Sequence, residues 1–251
     1  MRREVLLIAI LLAAFVLVAC GKDDPRSAAS ETVGSTTATT AAPATPATTT
    51  APEVRPRSAR DGCKAVPAPE PAAQSTRRRS RQKLSPKRTY TAIVRTNCGT
   101  IRIRLDVRTS PKTTASFAAL ARNGFYDGLT FHRIAKPGGN DYVIQGGDPL
   151  GTGNGGPGYS VVEDPPGDTR YRRYVVGMAK AENERQGTSG SQFFIVTAEE
   201  APLPAAYALL GRVVGGKKVV RRIAKLATDP ATEMPIDPVV MSEVRVVSSR
   251  R

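Results

Sequence analysis

The feature that limits the fold most is the alternation of short strand-like runs with glycine-rich loops from Thr89 onward. The runs YTAIVRT and TIRIRLD alternate apolar and polar residues, and Asn97, Cys98 and Gly99 lie between them, which predicts a β-hairpin. Only residues 110–124 and 217–227 have a helical pattern. Because helices do not alternate with the strand-like runs, the pattern predicts a mainly β, antiparallel barrel or sandwich.

Residues 30–52 consist almost entirely of Thr, Ala, Pro and Ser. A segment with so few large apolar groups cannot bury enough surface to offset the entropy that ordering costs. The proline-rich composition continues to residue 74, and the basic run RRRSRQKLSPKR follows at residues 77–88. The sequence therefore predicts a disordered linker over residues 20–88 and a folded domain over residues 89–251, which is long enough for one core.

The first 19 residues have the pattern of a secretory signal peptide. Arg2 and Arg3 precede an apolar run over residues 5–18, which is shorter than the roughly 20 residues of a spanning helix. The ending Leu17-Val18-Ala19-Cys20 resembles the lipobox of bacterial lipoproteins, which implies cleavage before Cys20 and lipid attachment to it. An uncleaved amino-terminal anchor is the alternative. Either way, we expect the domain outside the cytoplasm, anchored to the cell membrane.

Two cysteines follow Cys20, namely Cys63 and Cys98. In an oxidising compartment they can pair, which would staple the end of the linker onto the domain. This disulfide is favoured over the alternative of two free thiols. Two cysteines and the single histidine, His132, are too few ligands for zinc, so no metal is expected.

The basic run 77–88 has two interpretations. It can bind anionic lipid or an anionic wall polymer, or it can be a solvated linker end. Nucleic acid is not an expected partner, although the net charge is +15, because the sequence has no recognition motif and the predicted compartment is wrong.

The domain lacks the usual signatures of hydrolytic and nucleotide chemistry. Residues 151–156, GTGNGG, match the dinucleotide pattern G-x-G-x-x-G, but Pro157 and a strand-like run follow where a helix would be needed. His132 is the sole imidazole, so any Ser-His or Cys-His mechanism would depend on it. In a strand, His132 and its neighbour Arg133 point to opposite faces, and we therefore predict a packing or hydrogen-bonding role for His132.

The remaining candidates are Arg133 and two runs of apolar, aromatic and neutral polar residues, 142–145 and 190–197. The motifs FHRI, QGGDP, GTGNGGPGY, GMA and SGSQFFI occur in this order, and through them residues 89–248 resemble the cyclophilins, the prolyl isomerase family. The resemblance implies an eight-stranded, closed antiparallel barrel capped by two α-helices. It implies rotation of X–Pro bonds in proline-containing polypeptides, without a cofactor, and nothing in the sequence demands more than a monomer.

Prolyl isomerisation suits the residues present. The barrier of about 18–20 kcal/mol comes from amide resonance, and no bond breaks, so neither a nucleophile nor a base is required. An apolar slot must hold the proline ring, and a donor must stabilise the twisted amide, whose nitrogen has regained its lone pair. Arg133 is permanently charged and can only donate, which fits this role.

The resemblance assigns roles by position. Arg133 is the catalytic arginine, and Gln145 holds Arg133 or the substrate backbone. The residues that line the proline pocket are Tyr142, Val143, Phe194 and Leu203, and those that border the neighbouring groove are Ala179, Lys180, Ala181 and Gln192. Tyr207 stands where many members have histidine, and its hydroxyl can still donate a hydrogen bond. Alternation predicts that Phe193 faces the core and Phe194 does not.

Several departures from the family pattern bear on selectivity. Tyr142 replaces the usual phenylalanine, and Pro202 replaces the tryptophan associated with cyclosporin binding, so weak drug affinity is expected. Extra residues lengthen two loops, within 135–141 and 182–187. Two other hypotheses remain: a non-catalytic module or chaperone of the same fold that holds proline-containing peptides, and a basic linker that anchors a passenger domain.

Overall fold

A computed structural model describes residues 62–73 and 76–250 of the chain. The predicted signal peptide, Cys20 and the linker up to residue 61 lie outside the described residues. In chain order the strands and helices are β1 (Arg88–Thr96), β2 (Gly99–Leu105), α1 (Pro111–Arg122), β3 (Arg133–Ala135), β4 (Val143–Gly146), β5 (Val161–Val162), β6 (Tyr171–Arg172), β7 (Val175–Met178), β8 (Thr188–Ser189), β9 (Phe193–Val196), β10 (Glu200–Ala201), β11 (Leu209–Gly215), α2 (Lys217–Ala224) and β12 (Met241–Arg250).

Eight strands form one antiparallel sheet in the order β12-β1-β2-β11-β7-β9-β4-β3. The mainly β, antiparallel architecture with two helices is therefore confirmed. The prediction of a closed barrel was wrong, because the curled sheet is open between β3 and β12. β3 has only three residues, and the amide of Ile134 donates to the carbonyl of Glu233 in the loop before β12 (2.8 Å). Near this opening, isolated backbone bonds connect residues 128–131, before β3, to residues 239–241, at the start of β12.

The core lies on the concave face of the sheet. Along β2, Ile101, Ile103 and Leu105 are buried, whereas Arg102 and Arg104 are exposed, which is the period of two seen in the sequence. Each fully buried side chain of this size contributes roughly 1.5–3 kcal/mol. The arginines of β2 therefore lie on the outer surface of the sheet.

Aromatic rings fill the centre of the core. Phe193 is fully buried, and its ring packs edge-on against Phe117, Tyr126 and Phe131 at centroid distances of 5.9, 6.1 and 5.7 Å. The next residue, Phe194, belongs to a second, smaller apolar cluster on the other side of the sheet. The alternation predicted for these two residues is therefore present.

Helix α1 begins at Pro111, as its sequence predicts, but Ser110 does not cap it with its side chain. Instead, the carboxylate of Glu163 accepts hydrogen bonds from the amides of Lys112 (3.0 Å) and Thr113 (2.8 Å). A carboxylate at this end of a helix satisfies free amides and interacts favourably with the helix dipole. The cap therefore comes from a residue about 50 positions away.

The amino-terminal segment, residues 62–73 and 76–87, packs on the domain. Cys63 forms a disulfide with Cys98 in the turn between β1 and β2. The amide of Ala72 donates to a domain carbonyl (2.9 Å), and Leu84 is buried. The sequence predicts that the folded domain begins at residue 89. In the structure, ordered and packed residues already precede that boundary. Within residues 62–73 and 76–250, neither helix has the length and apolar character needed to cross a bilayer.

Candidate active site

Three adjacent strands bring the central residues of the site together. In the strand register Arg133 of β3 is opposite Gln145 of β4, and Gln145 is opposite Phe194 of β9. Residues opposite each other on neighbouring strands point to the same face of a sheet. The three side chains therefore share the outer face of the sheet, although up to about 60 residues separate them in the sequence.

A row of polar side chains extends from Arg133 across the site. Its Nη1 donates to Oε1 of Gln145 (3.4 Å), and Nε2 of Gln145 donates to Oε1 of Gln192 (2.9 Å). Gln192 in turn donates from Nε2 to the carbonyls of Gly153 (2.7 Å) and Gly155 (2.9 Å). The GTGNGG loop therefore does not open a helix. It provides the acceptors that orient Gln192, and through Gln192 and Gln145 it supports the arginine.

Glu233 is a site residue that the sequence analysis missed. Its Oε2 lies 2.6 Å from Nε of Arg133, and the two side chains are 33% and 40% exposed, respectively. Glu233 belongs to the loop between α2 and β12, 100 residues after Arg133, and its backbone carbonyl accepts the amide of Ile134 in β3. No sequence period or motif connects these positions, so only the three-dimensional structure reveals the pair.

Beside Arg133 lies a small cavity of about 280 Å³. The residues that line it are Arg133, Tyr142, Val143, Gln145, Ala179, Lys180, Phe194, Leu203 and Tyr207. All four residues predicted for the proline pocket are among them. A cavity slightly below the usual range for drug-sized ligands suits a small ring.

The floor of this cavity is the ring of Phe194. Gly177 is opposite Phe194 in the register of β7 and β9, and a Cβ at Gly177 would lie 2.5 Å from the ring. The ring of Tyr207 packs edge-on against Phe194 at 5.5 Å. Tyr171, a second residue that the sequence analysis missed, donates from its hydroxyl to the carbonyl of Tyr207 (2.6 Å). Burial raises the pKa of Tyr171 to about 12, so it remains a neutral donor.

The wall of the cavity carries a phenol at Tyr142. Burial is the main factor that raises its pKa, the nearby Tyr207 raises it further, and Arg133 opposes the shift. The hydroxyl is therefore neutral at physiological pH and can donate a hydrogen bond.

A longer groove of about 580 Å³ adjoins the cavity, with Gln145, Ala179 and Lys180 common to both. Ala181 and Gln192 also line this groove, as the sequence predicts. Nζ of Lys180 donates to the carbonyls of Ala181 and Glu184, both at 3.0 Å, and so holds the lengthened 182–187 loop at the rim. The cavity and the groove therefore adjoin along Gln145, Ala179 and Lys180.

The sequence model for the family described as cyclophilin type peptidyl-prolyl cis-trans isomerase matches residues 91–246. This chain belongs to that family. Peptidyl-prolyl cis-trans isomerase A of Mycobacterium tuberculosis is 37% identical over 180 residues, which cover 64% of this chain and 94% of that protein. Peptidyl-prolyl cis-trans isomerase B of Streptomyces anulatus is 37% identical over 177 residues, which cover 63% of this chain and 97% of that protein.

Solved structures show the same relationship. The crystal structure of a cyclophilin type peptidyl-prolyl cis-trans isomerase from Cryptosporidium parvum superposes with a TM-score of 0.57 at 30% identity. The match covers 64% of this chain and 99% of that one. The residues that line the cavity and the groove therefore all lie within the part of the chain that matches the cyclophilin family.

His132 lies apart from this cyclophilin site. It is 5% exposed and lines a separate cavity together with Asp148, and that cavity contains neither Arg133 nor any residue of the proline pocket. Neither ring nitrogen has a hydrogen-bond partner among the described residues. Burial lowers the pKa of His132, and Arg133 also lowers it, whereas Asp148 opposes the shift. His132 is thus a buried packing residue, which is one of the two roles predicted for it, although it lies just before β3 and not within a strand.

Proposed function

We propose that this cyclophilin accelerates cis–trans rotation of X–Pro bonds in exported or surface proteins, as a folding catalyst tethered to the cell membrane. The observation that carries the reaction is the fixed position of Arg133 beside an apolar cavity, with Glu233 and Gln145 engaging its Nε and Nη1 atoms. These contacts leave the Nη2 group for a substrate. No step requires a cofactor.

The reaction follows from the difference between the planar and the twisted amide. The proline ring enters the cavity between Val143, Phe194 and Leu203, and the peptide on its amino-terminal side occupies the groove. When the C–N bond rotates, the nitrogen loses conjugation and becomes a hydrogen-bond acceptor. A guanidinium N–H of Arg133 donates to it, and this bond exists only near the transition state, so it lowers the barrier without tightening ground-state binding.

Other side chains orient the substrate. Gln145 presents an amide beside the arginine, and the neutral hydroxyl of Tyr142 can donate to a substrate carbonyl. Apolar walls around the reacting bond lower the local dielectric, which strengthens the hydrogen bond from Arg133.

A protease-coupled isomerisation assay on the full chain tests this proposal. We expect acceleration of cis-to-trans conversion, and Arg133→Ala should remove most of it. Arg95→Ala is the matched control, because Arg95 is also ion-paired, to Glu243 at 2.8 Å, but lies in β1 and does not line the cavity. Equal rates with and without the protein would refute catalysis. Peptide binding without acceleration would instead identify a non-catalytic proline-binding module.

The tether is a separate part of the proposal and is supported by the sequence pattern alone. Cys20 carries the lipid, and the basic run 77–88 adds attraction to anionic lipid or wall polymer. Cys20→Ala should move the protein from the membrane fraction to the soluble fraction. Neutralising Arg77, Arg78 and Arg79 should weaken binding to anionic vesicles, and unchanged binding would mean that these arginines do not contribute to membrane attachment.

A further inference from the structure

The outer face of the sheet carries a cavity that the isomerase site does not use. It has a volume of about 580 Å³ and lies against β1, β2, β7 and β11. Four arginines line it, namely Arg88, Arg104, Arg170 and Arg212. It shares no residue with the proline cavity or the adjoining groove.

Two of these arginines are placed directly against each other. Arg104 of β2 and Arg212 of β11 are opposite partners in the strand register, and both are exposed. Like charges in opposite positions on neighbouring strands destabilise a sheet. Among the described residues, neither side chain forms an ion pair or a hydrogen bond, whereas Arg95 of the same sheet pairs with Glu243 at 2.8 Å.

The nearby carboxylates do not neutralise this charge. Glu200 is engaged by Arg170 (3.0 Å) and Arg172 (3.3 Å) at one side of the cavity. Asp106 lines the cavity, but its Oδ1 accepts the amide of Thr109 (3.3 Å) within a turn. Asp106 is therefore the one carboxylate beside the four arginines that line the cavity, and no carboxylate of the described residues forms an ion pair with Arg104 or Arg212.

We propose that this cavity binds a phosphate-bearing anion between Arg104 and Arg212. The planar guanidinium donates in a fork that matches two oxygens of a phosphate group, and two such forks facing one concavity suit a tetrahedral anion. Arg88 also lines the cavity and is the last residue of the basic run 77–88. Its Nη2 also donates to Oγ of Ser248 in β12 (2.9 Å). The phosphate can come from a soluble ester or from a lipid headgroup.

Calorimetric titration of the full chain with inorganic pyrophosphate at low ionic strength tests the site. The wild-type chain should bind with a saturable, 1:1 isotherm, and Arg104→Gln/Arg212→Gln should bind roughly tenfold more weakly or worse, because hydrogen bonds to a charged group are lost. The matched control is Arg95→Gln/Arg245→Gln, which removes the same charge from exposed positions of β1 and β12 that do not line the cavity. The control should keep affinity within about twofold.

Equal weakening in both double variants would overturn the proposal, since net charge alone would then explain binding. Pyrophosphate should also raise the melting temperature of the wild type and the control but not of the Arg104/Arg212 variant, which separates lost binding from misfolding. Isomerase turnover should be unchanged in both variants, so this test is independent of the proposed catalysis.

A second arm identifies the source of the phosphate. The measurement is the fraction of protein that sediments with phosphatidylglycerol vesicles, with phosphatidylcholine vesicles as the reference. If a headgroup is the ligand, this fraction should fall more in the Arg104/Arg212 variant than in the control. If vesicle binding is the same in both variants while pyrophosphate binding still differs, the ligand is a soluble phosphate ester.

Discussion

Arg133 and Glu233 form an ion pair, 2.6 Å between Nε and Oε2, that joins the first residue of β3 to the loop before β12. Glu233 has a φ of 58°, in the left-handed region that is unfavourable for residues with a Cβ. Its backbone carbonyl also occupies the free edge of β3. One residue therefore fixes the arginine through its side chain and the strand that carries the arginine through its main chain.

Replacing Glu233 should weaken catalysis through Arg133. We expect Glu233→Gly to lower kcat roughly tenfold with little change in KM, because the guanidinium loses the contact that orients it toward the twisted amide. Glu233→Gln keeps a hydrogen-bond acceptor and should recover part of the loss. The protease-coupled assay measures both parameters.

Glycine at this position accommodates the positive φ, so the same variant should not lower the free energy of unfolding through its backbone. Glu199→Gly, which removes an exposed partner of Arg173, is the control for loss of an ion pair. Turnover of Glu233→Gly equal to that of the wild type would show that Gln145 alone orients the arginine.

Gly177→Ala should damage the proline pocket specifically. The new methyl group would lie 2.5 Å from the ring of Phe194 and push the ring into the cavity. We expect KM to rise roughly tenfold with a smaller effect on kcat, because the displaced Phe194 ring obstructs ground-state binding of the substrate's proline ring. Gly167→Ala is the matched control because a Cβ there meets nothing within 4 Å. Similar kinetics for the two variants would contradict the assignment of the pocket floor.

His132 should change how the free energy of unfolding depends on pH, and it should have little effect on turnover. Burial lowers its pKa below the usual 6.5, so in the interval between the folded-state pKa and 6.5 the unfolded chain binds a proton that the folded chain does not. The stabilisation that depends on neutral His132 is therefore fully present above pH 6.5 and is lost as the pH falls through that interval. His132→Gln should flatten this part of the profile in urea unfolding measured across pH.

Turnover gives an independent check on His132. We expect His132→Ala to retain most of its isomerase activity, because the ring lines a different cavity from the site. A loss as deep as that of Arg133→Ala would overturn the packing role.

Removing the disulfide should destabilise the domain. For Cys63→Ser/Cys98→Ser we expect a loss of roughly 3–4 kcal/mol in the free energy of unfolding, from the chain entropy of a loop of this length. Urea denaturation measures the loss, and wild-type protein treated with a reductant should show the same value. The segment between Cys63 and Leu84 should also become more sensitive to proteolysis. An unchanged midpoint would mean that the hydrogen bonds and the packing of the segment hold it without the disulfide.

The residues that could be placed from the sequence are those within short strand motifs. Arg133, Gln145 and Phe194 lie in three such motifs, and antiparallel pairing brings neighbouring strands together, so strand alternation and the family pattern suffice to put them on one face. The same alternation separates Phe193 from Phe194, whereas His132 lies just before β3 and lines a different cavity from Arg133.

Contacts between distant loops could not be predicted in this way. Glu233 and Tyr171 act on the site from segments without a distinctive pattern, and Glu163 caps α1 in place of the local candidate Ser110. Closure of the barrel depends on whether β3 is long enough to pair with β12, and the bond from Ile134 to Glu233 prevents that pairing. Each of these contacts depends on which of several possible partners is nearest in three dimensions, and the periodicity of the sequence does not contain that information.

The position of the disulfide determines how mechanical force would enter the protein. A pull on the chain before Cys63 passes through the sulfur atoms to Cys98, in the turn between β1 and β2, so the disulfide bypasses the residues between the two cysteines. β1 is hydrogen-bonded on both sides, to β12 and to β2. With the bond intact, tension loads the tip of a hairpin inside the sheet, and with the bond reduced the same tension would peel the segment before β1 away from the domain.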